Sequence, residues 1–378
     1  MLSKSSASLR SPLLQSLLRA HWITGAIYLL ATAQLAGTYY FLEYNYLDYK
    51  LFEHGYERLP FQTRLLLAPF LRWADGNSIL ETYALRLSHS TYFFPSGVGP
   101  QDIFLFCLNI FCLLLSGWIA TRIYHAASRR ELMGAFVYPI FLVLCAVTYV
   151  LHTVQNFRFA YDFPSLALFS IGLYLIYFRK PVLLFVALFA IATLNRETSL
   201  FLLLFYACSA SLDANGNFSW KLMTSTRTLT VVIPLAAYWA AWHLMIFHMF
   251  RGNASEYYPR VHFNLHVLGN LKYYPQVFSA LSYLPVFLFL YRKRLADSQL
   301  RAWLWILPVW LAFMFFWAIL PETRVFGELI PYVACVSAIL VEEVIVARMG
   351  MGPSERQPEK FDDLEFTREV EELDRQAV

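Results

Sequence analysis

Residues 181–210 read PVLLFVALFAIATLNRETSLFLLLFYACSA, an apolar run interrupted once, at Asn195-Arg196-Glu197. As one helix rising 1.5 Å per residue it is about 45 Å long, with Arg196 and Glu197 near mid-membrane. As two spans, each falls slightly short of the ~20 residues that cross a bilayer, and the charged triplet becomes a corner outside it. Basic residues decide between the two, because cytoplasmic loops collect Lys and Arg. With two spans, Arg122, Arg129, Arg130, Arg179, Lys180, Lys221, Arg227, Arg292, Lys293, Arg294, Arg301 and Arg348 all fall on the side of the N-terminus. With one, the Arg292-Lys293-Arg294 cluster crosses to the other side. A hairpin is therefore expected.

The rest of the chain fits this frame. It is 58% hydrophobic and only 15% charged, against about one quarter charged in ordinary soluble domains. Apolar stretches recur near 22–42, 102–121, 132–152, 162–178, 180–194, 198–212, 228–249, 271–290, 302–320 and 326–347. The expected fold class is all-α: a polytopic bundle of about ten spans. Long continuous runs, not alternating ones, argue against a β-barrel. The expected organisation is a cytoplasmic segment 1–21, a membrane domain 22–347 with a long outer loop 43–101, and an acidic cytoplasmic tail 348–378. Lys4, Arg10 and Arg19 precede the first apolar run, which reads as an uncleaved anchor. No basic run with interleaved aromatics points to nucleic acid.

On this topology the outer face collects the chain's interrupting charges. Ionisable groups close to hydrocarbon are costly, so a same-side cluster marks a candidate site. Asn195-Arg196-Glu197-Thr198 is either a polar corner, with Glu197 beside a helix N-terminus, or a place where Arg196 holds phosphate. Arg158-Phe159-Ala160-Tyr161-Asp162-Phe163-Pro164 offers Asp162 as an N-cap or as a general base. In Pro321-Glu322-Thr323-Arg324, followed by Glu328, Arg324 and Glu328 have the spacing of a pair on one helix face. The first loop supplies Glu43-Tyr44-Asn45-Tyr46-Leu47-Asp48, then Glu53, His54, Glu57 and Arg58. Tyrosines among carboxylates suit a sugar site or a plain interface. Residues 60–74 read as an amphipathic helix on the membrane surface, with Trp73, Tyr92 and Phe93 suited to the interface belt.

Other signals are weaker. Cys107, Cys112, Cys145, Cys208 and Cys335 lie in or beside apolar segments without a C-x-x-C pair and read as buried hydrophobes. His262 and His266 have i, i+4 spacing, with His243 and His248 nearby, but lack a H-E-x-x-H frame, so no metal or other cofactor is assigned. Asn253-Ala254-Ser255 and Asn217-Phe218-Ser219 match the glycosylation pattern.

The phrases Tyr161-Asp162-Phe163-Pro164, Asn195-Arg196-Glu197-Thr198 and Glu322-Thr323-Arg324-Val325-Phe326-Gly327-Glu328, with the polar first loop and its surface helix, resemble the GT-C superfamily of multi-pass glycosyltransferases. The resemblance covers roughly residues 20–347. It implies transfer of a sugar from a polyprenyl-phosphate-linked donor at the outer face of a bacterial inner membrane, with both termini cytoplasmic. In that reading Asp48, Glu43 or Asp162 acts as base. Arg196 and Arg324, with Arg158 nearby, stabilise the leaving phosphate, and Glu197, Glu322 and Glu328 orient the arginines. The chain departs from the family in its first loop, where Glu43 and Asp48 stand five apart instead of forming an adjacent or alternating acidic pair. A lipid-glycan flippase or transporter, and a polysaccharide polymerase or ligase, use similar charges.

Overall fold

The computed structural model describes residues 12–88, 98–151 and 157–350. Lys4 and Arg10, Tyr92 and Phe93, and the acidic tail from Met351 lie outside these residues. The described chain is almost wholly helical. Helix α1 (Pro12–Gly37) runs into a π turn (Thr38–Leu42) and strand β1 (Tyr44–Asn45). The first loop follows with α2 (Tyr49–His54), α3 (Ala68–Asp75) and α4 (Ser78–Ser88). Then come α5 (Pro100–Ala127), α6 (Gly134–Tyr149), strand β2 (Phe157–Arg158), α7 (Asp162–Tyr177), α8 (Val182–Asn195) and α9 (Leu200–Ala210). After α10 (Trp220–Met223) stand α11 (Thr226–Met249), α12 (Val261–Leu268), α13 (Tyr274–Ser279) and α14 (Leu284–Tyr291). Helices α15 (Ser298–Trp303), α16 (Ile306–Trp317) and α17 (Ile330–Arg348) complete the bundle. The two strands pair in parallel, Tyr44 with Phe157 and Asn45 with Arg158.

The 181–210 stretch is two helices. Helix α8 stops at Asn195, and Arg196 is extended at φ −161°, ψ 146°. A 3₁₀ turn over Glu197–Ser199 then starts α9. Among the described residues, five helical segments are long and apolar enough to cross a membrane: Pro100–Ala127, Thr226–Met249, Leu271–Arg294, Ser298–Trp317 and Thr323–Arg348. Shorter apolar helices occupy Gly134–Tyr149, Asp162–Tyr177, Val182–Asn195 and Glu197–Ala210.

One expectation is corrected and another refined. Residues 60–74 are not one surface helix. They form 3₁₀ turns at Phe61–Thr63 and Leu65–Leu67 and only then α3. Phe61, Gln62 and Thr63 are buried, since Phe61 packs with Tyr40, Leu47, Phe52 and Phe159 in a small core that the loop shares with the π turn and the segment before α7. Residues 271–290 lie inside the apolar segment Leu271–Arg294, whose helix is broken near its middle. Leu281, Ser282 and Tyr283 have positive φ between two Pro-started helices, α13 and α14. Proline fits a first turn because its missing N–H is unpaired there in any helix, so each marks a fresh start.

Helix α17 is the mast of the bundle. In its most apolar stretch 78% of residues are buried, against 17% in α11. Lipid tails are as apolar as leucine, so burial alone does not drive helices together in a bilayer, and close packing must. Small residues permit it. A Cβ at Gly172 of α7 would stand 2.6 Å from Leu202 of α9. Aromatic rings fill the wider gaps, with Trp310 tilted against Phe201 at 4.2 Å and edge-on to Phe169.

Candidate functional site

The start of α7, the α8–α9 corner and the 3₁₀ segment Thr323–Leu329 before α17 meet at one end of the bundle. Their charges form one cluster. Asp162 is fully buried, and its Oδ1 lies 3.4 Å from Nη1 of both Arg196 and Arg324. Its Oδ2 accepts the Tyr39 hydroxyl at 2.7 Å, and that hydroxyl accepts the Phe159 amide at 2.9 Å. Arg196 Nη1 also pairs with Glu328 at 3.0 Å, and Arg324 Nη2 with Glu322 at 2.6 Å. The Ser165 and Thr198 hydroxyls donate to Glu328 Oε1 at 2.9 and 2.8 Å. Arg324 lies flat over Phe159, 3.9 Å from the ring centroid.

The distances divide these contacts into two kinds. Charge-assisted N–H···O bonds are strong near 2.7–2.9 Å. Glu322 and Glu328 hold their arginines within or close to that range, whereas Asp162 grips both loosely. Arg324 Nε and Glu328 Oε2 are buried and make no hydrogen bond within the described protein. Both guanidiniums are almost enclosed, at 6% and 7% side-chain exposure, while Glu322 keeps 18%. Burying this much charge costs several kcal/mol per ion before pairing offsets it, and apolar residues would make a cheaper core.

The expected helix-face pair of Arg324 and Glu328 does not form. Their segment winds as a 3₁₀ helix, which removes the i, i+4 alignment, and each finds its partners elsewhere. Asp162 is not the N-cap. Tyr161 occupies that position, and Asp162 opens the first turn. Glu197 belongs to an adjoining pair, held by Arg64 at 3.0 Å and by the Thr63 hydroxyl at 3.0 Å. Arg64 covers the Tyr161 ring at 4.3 Å, so the first loop roofs the cluster. Arg158 stands to one side, 4.1 Å over Tyr40 and 3.9 Å from Asp102.

The first-loop carboxylates stay apart from the cluster. Asp48 is exposed and caps α2, accepting the amides of Lys50 and Leu51 at 2.9 and 3.1 Å. Glu43 closes the π turn half-buried, and burial raises its carboxyl above the ordinary carboxylate value. His262 and His266 are exposed on α12. Among the described residues no group of three His, Cys, Asp or Glu side chains is placed to hold a metal. The described cysteines are all free, with Cys112, Cys145 and Cys335 buried, Cys208 half-buried and Cys107 exposed. The Asn253 amide donates to the carbonyls of Gly55 and Glu57 at 2.9 and 2.7 Å, so its hydrogens are already committed.

Sequence reading missed Tyr39, Tyr149, Ser165 and Arg64 as members of the site. Tyr149 lies against Gly327, where any Cβ would overlap its hydroxyl. Tyr39 and Tyr149 pack edge-on at 5.7 Å and both touch Phe163. Nothing in a line of apolar residues marks a tyrosine as facing charge. Comparison with known protein families, with curated proteins and with solved structures gives no match.

Proposed function

We propose that this protein is an integral membrane glycosyltransferase that moves a sugar from a polyprenyl-phosphate-linked donor to an acceptor hydroxyl at the extracytoplasmic face. In this reading about ten helical segments span a bacterial inner membrane, and both termini are cytoplasmic. The observation that carries the reading is Asp162 held between Arg196 and Arg324 at equal distance. An incoming phosphate oxygen competes for the two Nη1 groups that Asp162 holds only loosely. Asp162 and Tyr39 keep the guanidiniums oriented in the meantime.

Glu322, the most exposed carboxylate of the cluster, takes the proton of the acceptor hydroxyl. The hydroxyl oxygen bonds to the anomeric carbon as the bond from that carbon to the donor phosphate breaks. The electron pair leaves on the phosphate, where the arginines receive the charge. Asp48, which caps α2 away from the arginines, is out of reach of the phosphate they would hold.

The test is sugar transfer from polyprenyl-phosphate sugars in membranes, at matched expression. Arg324→Ala, Arg196→Ala and Glu322→Gln are expected to lower the rate roughly a hundredfold or more, and Asp48→Asn to leave it unchanged. A parent protein that transfers nothing from a broad donor panel, or a Glu322→Gln variant at full rate with Arg324→Ala, overturns the reading.

A further inference from the structure

Tyr161 stands among the charges of the cluster without sharing in their hydrogen bonds. The residue is 1% exposed. Its ring lies under the Arg64 guanidinium at 4.3 Å, and Phe159 packs against it at 5.2 Å. Phe159 in turn lies under Arg324. The backbone is fixed as well. The Tyr161 carbonyl accepts the Ser165 amide at 2.9 Å, in the first turn of α7, and the Asn195 side-chain amide at 3.3 Å. Ring and backbone are thus both held, yet the hydroxyl is buried and makes no hydrogen bond within the described protein.

A buried hydroxyl without a partner costs free energy, and a buried tyrosine usually finds one. Phenylalanine would fill the same space without that cost. The surroundings of the hydroxyl account for its presence. The charges that act on it are Arg64, Arg324, Asp162 and Arg196, three cations and one carboxylate. The carboxylate is already taken: Asp162 Oδ1 faces the two arginines beneath, and its Oδ2 accepts Tyr39. Glu328 Oε2 also lacks a partner, but it lies beyond hydrogen-bonding reach of the phenol. Arg324 Nε is a second buried donor with nothing to donate to. Two donors without acceptors, among guanidiniums, call for an oxyanion, which brings acceptors and negative charge together.

We infer that the Tyr161 hydroxyl is a ligand-binding group, donating to an oxygen of the phosphate that Arg196 and Arg324 hold. Phosphate has an oxygen for each guanidinium and one over for the phenol, which a carboxylate lacks. Tyr161 therefore helps the site tell phosphate from the carboxylate of Asp162 that it displaces. The inference rests on the phosphate reading of the site proposed above, but not on sugar transfer.

The test is protection of the full-length protein in detergent against thermal unfolding by farnesyl phosphate, with farnesol and inorganic phosphate as separate arms. Tyr161→Phe keeps the ring beneath Arg64 and against Phe159. Without ligand it is expected to unfold at the parent's temperature or above, because no hydrogen bond is lost. Its affinity for farnesyl phosphate is expected to fall roughly ten- to a hundredfold, the loss of one hydrogen bond to a charged group. Farnesol should protect neither protein. Protection by inorganic phosphate that is lost in the same variant would sustain the site and assign it to a free anion. Equal affinity in parent and variant overturns the inference, as does a variant that is less stable with its affinity intact. So does a parent that neither phosphate protects, or one that farnesol protects equally well. Tyrosine-dependent affinity in a protein that transfers no sugar sustains the inference and refutes the transferase instead.

Discussion

Asp162 shows how much of a buried cluster can hang on one side chain. Its Oδ1 stands between two guanidiniums and its Oδ2 takes a tyrosine hydroxyl. Removing one partner of a buried ion pair costs about 3–5 kcal/mol, since the remaining charge is left unpaired. Asp162→Ala is therefore expected to lower stability in detergent by about that amount, and Asp162→Asn, which still accepts hydrogen bonds, by less. Chemical unfolding followed by tryptophan fluorescence would order the two, and an alanine variant as stable as the parent would refute the account. The charged members of this site could be read from the chain, because Arg196, Arg324 and Glu328 stand out against apolar flanks. Its tyrosines could not, because Tyr39 and Tyr149 belong to runs in which every residue suits a membrane helix.

Among the elements, the opposite end of the bundle carries another buried carboxylate. Glu342 of α17 accepts the Ser128 hydroxyl at 2.6 Å and the Leu132 amide at 2.9 Å, and the Tyr124 hydroxyl as well. It staples the α5–α6 loop to the mast. Alanine there strands several buried donors, each worth about 1–3 kcal/mol. Glutamine keeps one acceptor oxygen for the Tyr124 hydroxyl and the Leu132 amide, and loses only the Ser128 contact, because that hydroxyl already accepts the Arg130 and Glu131 amides. Glu342→Ala is expected to lose at least about 2 kcal/mol more than Glu342→Gln, measured by thermal unfolding; equal losses would contradict the staple. The positions of the apolar helices were legible from hydropathy, and the break at Arg196 from the charged triplet that interrupts the run. The breaks at 60–74 and 281–283 were not, because periodicity reports which face is apolar and not where tertiary packing interrupts a turn.

At the scale of the whole molecule, the first loop is a roof fastened at two places. Arg64 and Thr63 hold Glu197. Arg58 holds Glu256 at 2.7 Å, and the Leu59 amide and carbonyl pair with Ala254 and Glu256 in the segment between α11 and α12. Arg196 and Arg324 lie beneath, nearly sealed, so a ligand must lift the roof to reach them. Arg58→Ala with Arg64→Ala is expected to speed hydrogen exchange over residues 55–64. It should also quicken labelling of a cysteine placed at Thr198 by a charged thiol reagent. Unchanged rates in both measurements would show that the fastenings do not govern access. The central position of α17 has a further consequence, for biogenesis. Arg324 is made 162 residues after Asp162, which at the ordinary pace of translation is roughly ten to thirty seconds. Until then the earlier helices must wait in the bilayer around an unfilled seam, with Asp162 and Arg196 keeping each other company. The ribosome finishes the site and the scaffold in the same stroke.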